Sequence, residues 1–264
     1  MTFIQALLLG AVQGATEFLP VSSSGHLAVL RAVMELRDVP VLFDVMLHIA
    51  TLIVVIVVFR RRVGGLLRSI FRWVSRRSGD ADRENLRLAW VIIVATVLTG
   101  VIGLAVGSLE TGLRPRVVSA LFILTGLILL GSRFFSGSRD YRGIGLRDGV
   151  IVGIAQGLGV FPGISRSGIT ISAGLVAGMD RETAGEFAFL VSIPAILGAF
   201  VLTLRDAAEL SQSVAPAVLV AGFVAALVVG AGALTLLLRI VKSGRLYFFA
   251  FYLIPLGIAG LVFL

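Results

Sequence analysis

Two long apolar stretches of this chain, 2–35 and 148–180, are each interrupted in the middle by proline, glycine and serine, and the interruption is the same in both. The first reads Gly10-Ala-Val-Gln13-Gly14-Ala-Thr-Glu17-Phe18-Leu-Pro20-Val-Ser22-Ser23-Ser24-Gly25-His26. The second reads Gly153-Ile-Ala-Gln156-Gly157-Leu-Gly-Val160-Phe161-Pro162-Gly163-Ile-Ser165-Arg166-Ser167-Gly168-Ile169. Without a gap, Gly10, Gln13, Gly14, Phe18, Ser22, Ser24 and Gly25 recur 143 positions later as Gly153, Gln156, Gly157, Phe161, Ser165, Ser167 and Gly168. Each arm of such a stretch, at roughly 10–15 residues, reaches only about 15–22 Å as a helix, short of the ~30 Å hydrocarbon layer of a bilayer. The expectation is two re-entrant helical hairpins, because irregular backbone at membrane depth is tolerated only inside protein or against a wet cavity.

The membrane enters through composition. A chain of 264 residues that is 58% hydrophobic and 14% charged has too little polar surface for a soluble domain. Cysteine is absent, so disulfides and thiol chemistry drop out. Met1-Thr-Phe-Ile carries no basic n-region, and no cleaved signal peptide is expected. The net charge of +8 reads as arginine anchoring rather than nucleic-acid binding, and no nucleic-acid partner is expected.

Six segments qualify as spans: 41–59, 88–107, 117–132, 186–204, 217–238 and 246–264. Seventeen basic residues, nine of them between Arg60 and Arg87, fall on one side; Arg31, Arg37, Arg114, Arg116 and Arg205 fall on the other. The richer side is expected to be cytoplasmic. Six spans fit this charge distribution if hairpin 2–35 enters from outside, hairpin 148–180 from inside, and both termini lie outside. The expected fold is therefore all-α: one polytopic membrane domain, 1–264, with six transmembrane helices and two re-entrant hairpins. Its halves, 1–135 and 145–264, form an inverted-topology repeat of the kind that carries sites near the midplane. The arginines of 60–87 read chiefly as topogenic charge on a loop, with docking of anionic headgroups as the other reading.

Chemistry is expected where the two copies diverge. Glu17 stands opposite Val160, Ser23 opposite Arg166 and His26 opposite Ile169. A carboxylate at membrane depth is costly and usually functional. Gln13 and Glu17, four apart, share a helix face. Gln13 has a counterpart in Gln156, so a backbone-bracing role and a site role both stand. Ser22 and Ser24 recur and are readable as helix caps; Ser23 does not recur. Ser23 and His26 are three apart, a spacing that lets an imidazole serve a hydroxyl as acid or base. Ser165, Arg166, Ser167 and Thr170 open a helix whose N-terminus, with a two-pronged guanidinium, suits phosphate. Arg166 also reads as the ion-pair partner of Glu17. Asp44 and His48, four apart, read as a locally satisfied polar patch, with an Asp–His catalytic pair as the alternative. Two histidines and no cysteine make no zinc cluster, and neither a P-loop nor a G-x-S-x-G elbow occurs.

The motifs Gln13-Gly-Ala-Thr-Glu17-Phe-Leu-Pro-Val-Ser-Ser-Ser-Gly-His26 and Pro162-Gly-Ile-Ser-Arg-Ser-Gly-Ile-Thr170 resemble those of the bacitracin-resistance (BacA/UppP) type of undecaprenyl-pyrophosphate phosphatase. Phe43-Asp-Val-Met-Leu-His48 and Glu186-Phe-Ala-Phe-Leu-Val-Ser-Ile-Pro194 support the resemblance, which runs from about residue 3 to the C-terminus. It implies a multi-pass enzyme of the cytoplasmic membrane with a site opening to the outer face. The implied reaction removes the terminal phosphate of a C55 polyprenyl diphosphate, recycling the lipid carrier for cell-wall synthesis and giving bacitracin resistance. It also implies a divalent cation, Mg²⁺ or Ca²⁺. Carried over by motif position, the implied functional residues are Gln13, Glu17, Ser23, His26, Ser165, Arg166 and Thr170. The first motif position is often Glu in this family; Gln13 here leaves Glu17 as the single carboxylate for a metal.

Residues and resemblance meet on phosphoryl transfer. Glu17, Ser23, His26 and Arg166 are the expected catalytic group, with Ser23 as nucleophile and His26 as acid/base, or with water attacking directly. Gln13, Ser22, Ser165, Arg166, Ser167 and Thr170 are expected to bind the diphosphate headgroup, and Glu17 is the expected metal residue. The expected partners are the polyprenyl diphosphate and the membrane, with a homodimer as one candidate assembly. The competing class is a transporter or flippase of a lipid phosphate or another anion, which the inverted repeat also suits.

Overall fold

The computed structural model describes residues 1–36, 39, 41–107, 115–207 and 215–263. Arg37 and Arg114, counted in the charge argument, lie outside the described residues. Eleven α-helices occupy them: α1 (Phe3–Phe18), α2 (Ser23–Val33), α3 (Val41–Val58), α4 (Arg60–Val74), α5 (Arg83–Gly107), α6 (Pro115–Ser132), α7 (Leu146–Leu158), α8 (Arg166–Val176), α9 (Arg181–Ala207), α10 (Pro216–Lys242) and α11 (Ala250–Phe263). No strand occurs among the described residues beyond an isolated bridge of Arg139 with Met179.

Helices α5, α6, α9 and α10, and the stretch Leu246–Phe263 that ends in α11, are long and apolar enough to cross a membrane. Helix α3 has 18 residues, about 27 Å at 1.5 Å per residue. It passes the same test together with α4, to which it is joined at a bend of 83°. Outward-facing Val97, Val101, Leu104, Val228, Val262 and Phe263 give the helices the apolar exterior that lipid requires. The chain is a polytopic membrane protein, and each of the six expected spans coincides with a helix.

One segment differs from expectation. Residues 60–87, read as a basic loop, contain the 15-residue helix α4. Leu67, Ile70, Phe71 and Val74 recur on one face at helical spacing, with arginines beside them. The run of charge had hidden that period.

The two interrupted stretches fold as helix–elbow–helix pairs, α1 with α2 and α7 with α8, and within each pair the helices pack on each other. Thr2 opens α1 with a reciprocal cap: its hydroxyl accepts from Gln5 N at 3.3 Å, and Gln5 Oε1 accepts from Thr2 N at 2.7 Å. Helix α7 opens on Asp148, which accepts from Gly145 N at 2.8 Å. Arg139 grips Asp148 with both terminal nitrogens, at 3.1 and 2.7 Å, and also donates to the Ala177 carbonyl at the end of α8. One guanidinium thus ties together the two outer ends of the second pair.

Helix α1 packs chiefly on α10 and α7 chiefly on α5, while α6 lies against α11 and α3 against α9. Phe3 and Leu146, which begin α1 and α7, are 143 residues apart; so are both ends of α2 and α8. Glycine permits the close crossings. A Cβ on Gly10 would overlap the Gly222 carbonyl of α10, and one on Gly153 would sit 2.7 Å from Ala95 Cα of α5. Between these crossings lies a core around Phe18, Phe59, Phe187, Phe189 and Leu234, with a smaller one around Leu9, Phe43, Leu47 and Ala226.

Candidate active site

The two elbows lie against each other. After Phe18 the chain passes through Leu19-Pro20-Val21, and Ser22 adopts φ 69°, a left-handed conformation costly for serine. Its hydroxyl accepts from Gly163 N of the other elbow at 3.1 Å. Gly163 itself has φ 97°, and its carbonyl accepts from Thr125 Oγ1 of α6 at 3.0 Å. The same hydroxyl accepts from Ser165 N at 3.3 Å, so buried Thr125 fixes the second elbow from behind.

The serines therefore divide their work differently from the capping expectation. Ser165 caps α8, its hydroxyl accepting from Gly168 N at 3.2 Å. Ser22 makes no side-chain cap to α2, and Ser24 is exposed. What recurs is a hydroxyl pair: Ser22 with Ser24 at 3.4 Å and Ser165 with Ser167 at 3.2 Å.

This geometry sets the first residues of α2 and α8, Ser23 and Arg166, on the wall of one polar cavity of about 260 Å³. Two helix N-termini thus converge on it, that of α2 without a side-chain cap and that of α8 capped at Gly168 N alone. Glu17, in the last turn of α1, lies on the same wall. Its carboxylate pairs with Arg166 and accepts from Ser23 Oγ at 2.8 Å and from Gln13 Nε2 at 3.1 Å. Thr16, Ser22, Ser24, His48 and Ser165 also line the cavity. An apolar cavity of about 130 Å³, formed by Val45, Ile49, Ile196, Ala199 and Phe200, shares His48 and Arg166 with it.

Of the expected site residues, Glu17, Ser22, Ser23, Ser165 and Arg166 meet at the polar cavity. Gln13 stands behind Glu17, fully buried, with its Oε1 lacking a hydrogen-bond partner. Ser167 and Thr170 instead line a small inner void with Gln156, and the Thr170 hydroxyl donates back to the Arg166 carbonyl at 2.7 Å. Gln156 is a brace, donating to Thr99 Oγ1 at 3.1 Å and to the Val191 carbonyl at 3.3 Å.

His26 does not meet Ser23. Its Nδ1 lies 2.9 Å from the Ser22 carbonyl, an atom that only accepts, so Nδ1 carries the proton. Its Nε2 is hydrogen-bonded with Tyr252 OH of α11, at 2.7 Å. The hydroxyl of Ser23 is directed to Glu17 instead.

Sequence reasoning set His48 aside, yet its Nδ1 accepts from Gln13 Nε2 at 3.1 Å and lies 3.9 Å from Glu17 Oε1. Asp44, four residues earlier, pairs with Arg31 of α2 rather than with His48. No period along α3 could have revealed a contact with α1; the only signal was a histidine within an apolar span.

The model for the family described as "Bacitracin resistance protein BacA" matches residues 6–259. The chain belongs to this family. A protein of Treponema denticola named undecaprenyl-diphosphatase is 48% identical, over 98% of this chain and 96% of its own length. Proteins of the same name from Desulfosudis oleivorans and Methanosphaera stadtmanae are 41% and 37% identical, the matches covering 96% and 99% of this chain and 96% and 98% of theirs. The family match includes both elbows and every residue of the polar cavity.

Proposed function

We infer that this membrane protein is an undecaprenyl-diphosphatase: it hydrolyses a polyprenyl diphosphate to the monophosphate and inorganic phosphate. This returns the carrier lipid to cell-wall synthesis and accounts for the bacitracin resistance after which the family is named. The observation that carries the reading is one carboxylate, Glu17, held between a hydroxyl donor, Ser23, and a guanidinium, Arg166, where two helix N-termini converge.

A diphosphate entering the cavity competes with Glu17 for Arg166. The guanidinium grips two oxygens of the terminal phosphate, and the first-turn N–H groups of α2 and α8 take up further charge. Glu17, released from its ion pair, becomes basic enough to take the Ser23 proton. Ser23 Oγ forms a bond to the terminal phosphorus as the bridging P–O bond breaks, and that bond's electron pair leaves on the lipid monophosphate. Water then cleaves the phosphoserine, with Glu17 holding the proton that Ser23 regains. His26 orients the first turn of α2 through its Nδ1 proton on the Ser22 carbonyl. Direct attack by a water bound to Glu17 uses the same residues with Ser23 as a positioning donor. The apolar cavity beside Arg166 suits the first isoprenoid unit.

A divalent cation fits this donor set if it is shared with the substrate. Among the described residues no group of three His, Asp or Glu forms a cage. Glu17 and the unpartnered Gln13 Oε1 are oxygen donors, and Mg²⁺ commonly uses one carboxylate plus phosphate oxygens. When bound it supplies neutralisation of diphosphate charge.

We further propose the inverted repeat, with both broken pairs re-entrant and the cavity open to the outer face. In support, α1, α2, α3, α5 and α6 recur in order as α7 to α11, and the packing of α1 on α10 exchanges for that of α7 on α5. Helix α4 has no counterpart. Phosphate release from polyprenyl diphosphate by the purified protein in detergent tests the reaction. Hydrolysis needs one compartment and transport needs two, so release supports the hydrolase and its absence favours a flippase.

A further inference from the structure

A second polar cavity lies away from the elbows, at the bend between α3 and α4. It measures about 710 Å³ and is lined by Arg60, Arg61, Arg62, Asn85, Glu186 and Val58. Its one carboxylate is engaged: Glu186 Oε2 accepts from Tyr141 OH at 2.8 Å. Burial pushes the Tyr141 phenol far above its usual value, so that donor stays protonated. Arg62 covers the Tyr141 ring, its guanidinium carbon 3.9 Å from the centroid. Arg60 spends one nitrogen on the Val57 carbonyl, at 3.1 Å. Arg61 is exposed, and no partner for it appears among the described residues. The cavity thus gathers three arginines around one carboxylate, Glu186, whose charge the neutral phenol leaves in place, so its lining carries a net positive charge.

The helix that carries these arginines suits a lipid surface. Leu67, Phe71 and Val74 form one face of α4 and are 61–71% exposed. Arg61, Arg68 and Arg72 follow one another at the next position around the helix. An apolar strip beside an arginine strip, set at 83° to a spanning helix, is the geometry of a helix lying in the headgroup layer. Exposed Val57 and Val58 continue the apolar surface down α3, where acyl chains would run.

We propose that this cavity is a binding site for an anionic phospholipid of the leaflet in which α4 lies, its phosphate held by Arg60 and Arg61 and its acyl chains along Val57, Val58 and the apolar face of α4. The charge is complementary, the cavity opens beside the apolar strip, and neither feature is needed for phosphoryl transfer at the elbows. Simple topogenic charge accounts for the number of arginines. It does not account for three of them lining one cavity that holds a single carboxylate.

The chain's two tryptophans report on the far end of α4, along whose apolar face the acyl chains would run. Trp73 is on α4 and Trp90 on α5, both half-exposed, with ring centroids 6.4 Å apart. The test reconstitutes the full chain in phosphatidylcholine vesicles carrying equal fractions of brominated phosphatidylglycerol or brominated phosphatidylcholine, and reads tryptophan quenching. The expected result is a roughly fivefold preference for the anionic lipid, the size of one well-placed arginine contact. The preference should persist at high salt, where diffuse attraction is screened. It should be lost in R60Q/R61Q and kept in R76Q/R77Q, which removes equal charge outside the cavity. Equal quenching by the two lipids in the wild-type protein overturns the proposal, as does a preference abolished by salt. Equal loss in both double variants also overturns it by assigning the effect to surface charge. The wild-type and salt comparisons decide the matter even if R60Q/R61Q fails to insert.

Discussion

Arg166, the first residue of α8, pairs with Glu17, in the last turn of α1, across 149 positions of sequence. The pair joins the two places where otherwise similar elbows diverge most in charge. Within the protein the two opposite charges satisfy each other. On the proposed function, a diphosphate offers Arg166 more negative charge than one carboxylate does, and substrate binding is expected to release Glu17.

Arg166→Lys keeps the charge but loses the fork that grips two oxygens. Turnover is expected to fall by about 10²-fold, equivalent to about 2.7 kcal/mol of transition-state stabilisation. The kcat/KM for phosphate release checks this, and near wild-type values would make the pair purely structural.

Replacement of Glu17 by Gln should lower kcat by roughly 10²–10⁴-fold, the range for loss of a general base. The protein should still insert, because the amide can accept from Ser23 and Gln13. Where a divalent cation supports activity, its apparent affinity should weaken in the same variant, read by titrating the metal against residual turnover. An active variant with unchanged metal dependence would remove the carboxylate from the mechanism.

The elbow serines separate stability from chemistry. Ser22→Ala leaves the Gly163 N–H without its partner inside the protein and should cost about 1–3 kcal/mol. Ser24 is exposed, and its alanine variant should stay within about 0.5 kcal/mol of wild type. Thermal unfolding in detergent ranks the two; equal melting temperatures would mean that the Ser22–Gly163 tie contributes nothing.

Topology carries its own test. A reporter fused in the loop between α4 and α5, near Arg77, should read as cytoplasmic, because the 17 basic residues assigned to that side outnumber those opposite. An external signal there would reverse the orientation of both broken pairs.

Much of this architecture was legible in the chain itself. A gapless spacing of 143 carries α2 onto α8 residue for residue, and both elbows fall where proline, glycine and serine break an apolar run. Comparing the two copies isolated Glu17, Ser23 and Arg166, because capping and close packing are needs both copies share. Contacts between distant helices were not legible. His48 reaches Gln13 only because α3 crosses α1, and Tyr252 reaches His26 from the last helix of the chain. The Ser23–His26 spacing suggested a contact that the Ser22 carbonyl pre-empts by claiming Nδ1. Helix α4 was overlooked because arginine dominates its composition, although its apolar period was present.

The central claim is that Ser23 and Glu17 act together on the terminal phosphate, and Ser23→Ala tests it most directly. The measurement is the rate of phosphate release from polyprenyl diphosphate by purified wild-type, Ser23→Ala and Ser24→Ala proteins in the same detergent. The account predicts a loss of about 10²-fold or more for Ser23→Ala, in the range of a lost nucleophile or positioning donor, and little change for Ser24→Ala. Comparable rates in Ser23→Ala and wild type would contradict it, leaving the Ser23–Glu17 hydrogen bond without a part in the reaction.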